Sequence, residues 1–298
     1  MEILIHQASI EDAIFQHSVL CQTFLPYRDP GKELRIWQHK QGNVSLAIQA
    51  NEAINPATGD FEFIGLPYGT KARLILAHIN SVAVKTQSKI IDVEASMTAF
   101  IKKIGLNIDG NTIEQVKEQL RRISTSTVSM GYAEDNRTVQ VDLKIVKASD
   151  LWFPKDNRQR VLWASVIELT DDYFKSLMNH AIPMDERALT ALSHNSMAMD
   201  IYAWLVQRLH RIDPNKPQFI SWVNLKEQFG NGYTDMYKFK QVFRKTLNLT
   251  TFQYPKARLF EDKNKGYFLH NSEPPIPLKI ISIAPITSKT DKLIKSIT

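Results

Sequence analysis

Apolar positions along this chain recur with two different periods, and the change from one to the other marks its elements. Ala72, Leu74, Ile75, Ile79, Val82 and Ala83 fall at three- and four-residue steps, which predicts an amphipathic helix over 70–86 with Thr70 at its N-cap. A strand-like piece, Lys89 to Val93, follows. A second helix, Glu94 to Ile104, carries Ala95, Met97, Phe100, Ile101 and Ile104 on one face, with Gly105 as its closing glycine. Ile113, Val116, Leu120 and Ile123 predict a third helix over 112–124. The period then becomes two: Val128, Met130 and Tyr132, a polar "AEDNR" turn, and Val139, Val141, Leu143 and Ile145 form a β-hairpin.

The same order returns about 125 residues later, as a duplication would produce. "NSMAMDIYAWLVQRLHRI" is a helix with Met197, Ile201, Tyr202, Trp204, Leu205, Leu209 and Ile212 inward, stopped by Pro214. "FISWVNLKEQFG" supplies a strand and a second helix ending at Gly230. Residues 234–247 form a third helix with Phe239, Val242, Phe243 and Leu247 buried, and "ARLFEDKNKGYFLH" reads as a hairpin turning at Asp262 to Gly266. Helix, strand, helix, helix, hairpin is the order of a winged helix, whose third helix can enter a major groove while the hairpin lies along the backbone. The expected class is therefore α+β, with tandem winged-helix domains.

The expected boundaries are a segment of short strands over 1–60, a first winged helix over 61–182, a second over 183–277 and a basic tail over 278–298. Val44 to Gln49 alternates like a strand within the first segment. A strand, Leu162 to Leu169, and a helix, Asp171 to Met178, couple the two modules without a flexible linker. The prolines after Asn271 bar a helix, so the tail is expected to be an extended arm or disordered.

Charge adds a direction to this outline. Of 37 Lys and Arg against 31 Asp and Glu, twelve and five respectively lie from Asn231 onward, so the whole basic excess sits in the last quarter of the chain. Such a distribution points to a polyanionic partner, most often nucleic acid. The third helix of the second module presents Tyr237, Lys238, Lys240, Gln241, Arg244 and Lys245, opposed by Asp235, and the hairpin beside it bears Lys263 and Lys265. The third helix of the first module offers Gln115, Gln119, Arg121 and Arg122 on its polar face, with Glu118 among them. The basic, amide and hydroxyl groups among these can bond base edges or phosphates, whereas Glu118 repels phosphate and could only accept from a cytosine.

Catalytic patterns are missing. The eight histidines never form a His-x-His pair, and neither HExxH nor G-x-S-x-G occurs. "GLPYGTK" places three residues between Gly65 and Gly69 and puts Thr70 before Lys71, so it departs from the phosphate-binding G-x-x-x-x-G-K-[ST] loop. His78 reads as a core histidine, and Asp171 with Asp172 as helix-start caps. No enzyme activity, cofactor or metal is expected. A single cysteine, Cys21, excludes internal disulfides, and the absence of a long apolar run or a basic leader suggests a cytoplasmic protein that leaves membranes alone.

Particular residues also resemble a known family. "GLPYGTKARLILAHINSVAVKTQSKIIDV" and "SMTAFIKKIGL", preceded by "FLPYRDPG", Trp37 and "GNVSLAIQA", resemble the core of plasmid-encoded RepA-type replication initiators. "AMDIYAWLVQRLH", "ISWVNLKEQFG", "YPKARL" and "HNSEPPIP" are similar to that family's C-terminal portion, so the likeness runs from Phe24 to Pro277. The resemblance implies a protein that binds repeated double-stranded sites at a plasmid origin, helps open the duplex and recruits host helicase and initiator proteins. It also implies a homodimer that represses its own promoter, with one module serving for pairing. Two other readings stay open: a winged-helix repressor of a single palindrome, and a protein-interaction scaffold.

Overall fold

A computed structural model describes residues 11–55, 58–92, 97–134, 137–149, 166–263 and 265–277. The chain is a mixed α+β structure. It opens with β1 (Ala13–His17) and a short helix α1 (Ser18–Gln22), at whose start the Val19 N–H donates to His17 Nδ1 at 3.2 Å. Then come β2 (Ile36–Gln41) and β3 (Val44–Gln49), joined across Gly42, and a small pair, β4 (Glu52–Ile54) and β5 (Phe61–Phe63).

The long apolar stripe is α2 (Gly69–Thr86), buried from Ala72 to Ser81. Its start differs from expectation: Tyr68 is the N-cap and makes no side-chain cap bond, while Gly69 adopts φ +74° and donates its N–H to the Pro26 carbonyl. That left-handed first residue is the reason for glycine where the sequence suggested Thr70. Gln87 ends the helix at φ 53°, and β6 (Ile90–Asp92) and α3 (Met97–Lys103) follow. Gly105 closes α3 at φ +76°, with its N–H on the Lys102 carbonyl and the Leu106 N–H on the Ile101 carbonyl. The next helix, α4 (Gly110–Thr125), is capped by Asp109, which accepts from the Thr112 N–H at 2.8 Å. Beyond it β7 (Thr127–Glu134) and β8 (Arg137–Lys144) make the expected hairpin, and β9 (Val146–Ser149) continues the chain.

The partners of that hairpin were not visible in the sequence. β7 pairs with β3, giving the antiparallel order β2-β3-β7-β8, so strands from the first sixty residues build one sheet with it. β6 lies instead in the order β6-β10-β9, where β10 is Val166–Leu169. The first four residues of that expected strand, 162–165, lie outside the described residues, as do 94–96 at the expected start of α3. Thr170 caps α5 (Asp171–His180); Asp171 and Asp172 occupy its first turn, and Asp171 also meets Lys89 Nζ at 2.7 Å. Next, β11 (Ala181–Asp185) returns to pair with β1, and α6 (Glu186–Ala191) follows.

The last third holds α7 (Ser196–Leu209), β12 (Gln218–Ser221), α8 (Trp222–Phe229), α9 (Met236–Gln253), β13 (Leu259–Asp262) and β14 (Gly266–Leu269). Side chains of Asn195, Ser221 and Asp235 cap the three helices, each accepting from a first-turn N–H. α7 stops at Leu209, short of Pro214, and α9 runs to Gln253, beyond the expected Leu247. Thr246, Thr250 and Gln253 continue its buried face with polar side chains, which an apolar count overlooks. The expected tail over 278–298 lies outside the described residues.

One core joins the halves. Arg73 of α2 and Asp200 of α7 form a buried bidentate pair, Nε to Oδ1 and Nη2 to Oδ2 both at 2.7 Å. Arg73 also donates to the carbonyls of Leu25 (2.8 Å), Pro26 (3.3 Å) and Gly69 (2.8 Å). Burial pushes the Asp200 carboxyl up, with Arg73 pulling the other way. Nearby, Phe24 stacks on Phe229 at 5.0 Å and His39 Nε2 lies 2.9 Å from the Gln228 carbonyl oxygen. Each large apolar side chain removed from water here contributes roughly 1.5–3 kcal/mol of transfer free energy. No helix among the described residues is long and apolar enough to cross a membrane.

Candidate nucleic-acid interface

Trp222, the first residue of α8, organises the basic surface. Phe239 and Phe243 of α9 lie 6.4 and 5.8 Å from its ring and Tyr267 of β14 lies 5.3 Å away, all edge-on. This packing fixes the angle between α8, α9 and the hairpin. Lys240 Nζ and the Arg244 guanidinium sit over the same indole at 5.2 and 4.9 Å, so both are half-buried cations with restrained heads. Between the helices the Gly230 N–H bonds the Lys226 carbonyl, and Lys226 Nζ reaches the Thr234 carbonyl at 2.9 Å.

The outward stripe of α9 is open. Tyr237, Lys238, Gln241 and Lys245 are exposed, and none of the three polar groups Lys238, Gln241 and Lys245 has an ion pair among the described residues. Their spacing of three and four residues keeps them on one side of the helix. Lys263 and Lys265 are exposed near the hairpin turn, Lys265 standing 4.0 Å from Asp262. Gly266 is required there by close approach: a Cβ would meet the Ile220 carbonyl oxygen at 2.0 Å. The structure thus brings all eight of these predicted residues to α9 and the adjacent hairpin.

Arg244 differs from its companions. It donates to Glu261 from Nε and Nη2, at 3.0 and 2.7 Å to the same oxygen, and the Tyr267 hydroxyl donates to the other carboxylate oxygen at 3.0 Å. The Arg244 hydrogen bond holds the Glu261 carboxyl below the usual range, and Glu261 in turn raises Arg244. Glu261 was missed in the sequence. Its strand position alternates with Phe260 and faces Tyr267, so a carboxylate there points toward a basic helix, a signal the pattern does contain.

On α4 the expectation of an exposed reading face fails for two residues. Gln119 is buried and accepts the Tyr68 N–H at 2.9 Å. Arg122 is also buried: it donates to the Leu66 carbonyl at 2.9 Å, to Glu118 at 2.7 Å and to both Asp29 oxygens at 3.2 Å, and its guanidinium lies 4.9 Å from the Tyr68 ring centre. The physical reason is a loop folded over the polar face. Gly65 permits this, because a Cβ there would stand 2.9 Å from Arg122 Nη1. "GLPYG" is therefore the seat of an arginine and a helix entry. Arg121 pairs with Glu62, and Gln115, though exposed, is bonded to Asn111 at 2.9 Å.

Among the described residues, no group of three or more His, Cys, Asp or Glu side chains could hold a metal ion. Cys21 is buried, and burial pushes its thiol up. His78 is buried edge-on to Phe100 at 5.5 Å.

An α+β scaffold that carries a cationic helix and hairpin, anchored on a shared tryptophan, is a surface suited to a polyanion. The sequence profile of plasmid-encoded RepA proteins matches residues 66–224, and the chain belongs to that family. No curated protein matches it. A crystal structure of domains 2 and 3 of RctB is similar at a TM-score of 0.53, with 8% identity over 86% of this chain and 99% of that one. Another crystal structure of RctB domains 2 and 3 reaches 0.48, also at 8% identity, over 84% of this chain and 94% of that one. At 8% identity the likeness to the first of these is one of fold.

Proposed function

We propose that the protein is a plasmid replication initiator that binds repeated double-stranded sites at its origin through tandem winged helices. In this reading α7, β12, α8, α9 and the β13/β14 hairpin form the second module, and α2, β6, α3, α4 and the β7/β8 hairpin form the first. The observation that carries it is the stripe Tyr237, Lys238, Gln241 and Lys245, exposed on a helix whose opposite face is anchored in the core and flanked by Lys263 and Lys265. Membership of the RepA family supports the replication role. Lysines neutralise phosphates and displace counterions, while Gln241 is the type of side chain that reads adenine in the major groove.

The second module supplies the sequence-specific contacts. The first, with Gln119 and Arg122 engaged internally, serves for pairing with a second copy or for backbone contacts through Gln115 and Arg121. The protein works in the cytoplasm without catalysis, cofactor or metal; duplex opening follows from binding, and host helicase and initiator proteins are recruited. A complementation experiment tests this. A replicon lacking the gene is supplied in trans with the wild-type chain or with Lys238→Ala/Lys245→Ala, and plasmid retention is counted over generations. Retention with the wild type and loss with the variant is expected. Retention without any copy of the gene would sink the initiator reading and favour a repressor.

A further inference from the structure

The hairpin has a second face, turned away from α9. In the sheet order β12-β14-β13, Phe219 is directly opposite Phe268, and Phe268 directly opposite Phe260. These rings form one row across three strands, with exposures of 44%, 41% and 56%. Phe219 and Phe268 are 5.0 Å apart, and His270 stands edge-on to Phe260 at 4.9 Å. The neighbours Ile220, Tyr267 and Leu269 point inward and are buried, so the alternation is complete and the row has no place in the core. A single exposed phenylalanine needs no explanation, but three in register across neighbouring strands make an exposed aromatic row.

Charge around the row selects its partner. The His270 N–H bonds the Arg258 carbonyl, extending the ladder one step, and places Arg258 on the same pleat as Phe260. Arg258 is exposed, as are Lys216 on the approach to β12 and Lys265 at the hairpin end. One outward carboxylate, Asp262, lies 4.0 Å from Lys265. Protein interfaces are depleted in lysine, whereas a stacking platform fringed by cations matches unpaired bases on a phosphate backbone. The Phe219 and Phe268 rings, 5.0 Å apart and tilted by 52°, and Phe260 on the next strand offer neighbouring aromatic faces to unpaired bases.

We propose that the outer face of β12-β14-β13 binds single-stranded nucleic acid, with bases stacked on Phe219, Phe268 and Phe260 and phosphates met by Arg258, Lys216 and Lys265. The site shares only Lys265, at the hairpin end, with the α9 surface, and it stands whether or not α9 reads duplex repeats.

Fluorescence anisotropy of the full chain with labelled oligothymidylate, labelled oligouridylate and a labelled duplex tests it. Phe219→Leu and Phe260→Leu keep apolar strand residues but remove the rings, and each is expected to weaken oligothymidylate binding roughly five-fold or more. Phe260→Trp is expected to restore it. Duplex binding is unchanged in these variants and falls instead in Lys238→Ala/Lys245→Ala. Oligouridylate at equal affinity means that the face takes either backbone, and preference for oligothymidylate assigns it to DNA; both support the site. Failure to bind either oligonucleotide, or binding untouched by the leucine variants, overturns it. A leucine variant that changes sedimentation mass and leaves oligonucleotide affinity intact would also overturn it, assigning the face to protein contact.

Discussion

Replacing Glu261 with glutamine should tighten duplex binding, because Arg244 is now tied to the wrong anion. Two guanidinium nitrogens engage the carboxylate, but the pair is partly open to water, with side-chain exposures of 39% and 24%. Exposed pairs of this kind contribute about 1 kcal/mol or less to stability, so the fold survives their removal. The glutamine amide keeps an oxygen for the Tyr267 hydroxyl and leaves Arg244 over Trp222. Freeing one cation for a phosphate makes the plot of log affinity against log salt steeper by about 0.9, which between roughly 50 and 200 mM salt is a factor of about 3.5. Arg244→Ala alone exposes an unpaired carboxylate beside the duplex and should weaken binding, while Arg244→Ala/Glu261→Gln should return near the wild type. Equilibrium titrations at four salt concentrations read both quantities. If Glu261→Gln shifts neither affinity nor slope, the Arg244 edge of α9 does not face the duplex.

Further outcomes follow from the scaffold. Asp200→Ala leaves Arg73 buried with only carbonyl partners and should cost about 3–5 kcal/mol in urea unfolding, whereas a loss under about 1 kcal/mol would mean that the core relaxes to admit water. Gly266→Ala forces a Cβ against the Ile220 carbonyl and should cost on the order of 1–3 kcal/mol, visible as a lowered Tm. Burial holds the His17 imidazole down at about 3, and Nδ1 accepts the Val19 N–H, so the folded state keeps it neutral. The unfolded chain then binds more protons between about 3 and 6.5, and stability must fall as pH drops through that window. His17→Gln should flatten this decline; a decline of the same slope in the variant would assign the acid sensitivity to other groups.

The second half of the chain was largely legible because its signals are local. Asn195, Ser221 and Asp235 cap helices whose apolar spacing names the buried faces, and Phe239, Phe243 and Leu247 lie where their period puts them. The cationic stripe of α9 is exposed for the same reason: its opposite side is committed to Trp222 and the core. Distant pairings were not legible. β1 with β11 and β3 with β7 join segments whose alternation carries no address for a partner. Gln119 and Arg122 have the polarity of a surface face, and only the loop bearing Gly65 and the carboxylate of Asp29 convert it to an interior one. Polarity indicates which groups need partners; the fold decides whether water, protein or a ligand supplies them.

Footprinting of the purified chain on DNA flanking its own gene, at two salt concentrations, tests the central claim most directly. The account predicts regularly spaced protected repeats that fade steeply as salt rises and are lost in Lys238→Ala/Lys245→Ala. A single protected palindrome, or protection unchanged by salt and by that variant, would contradict it.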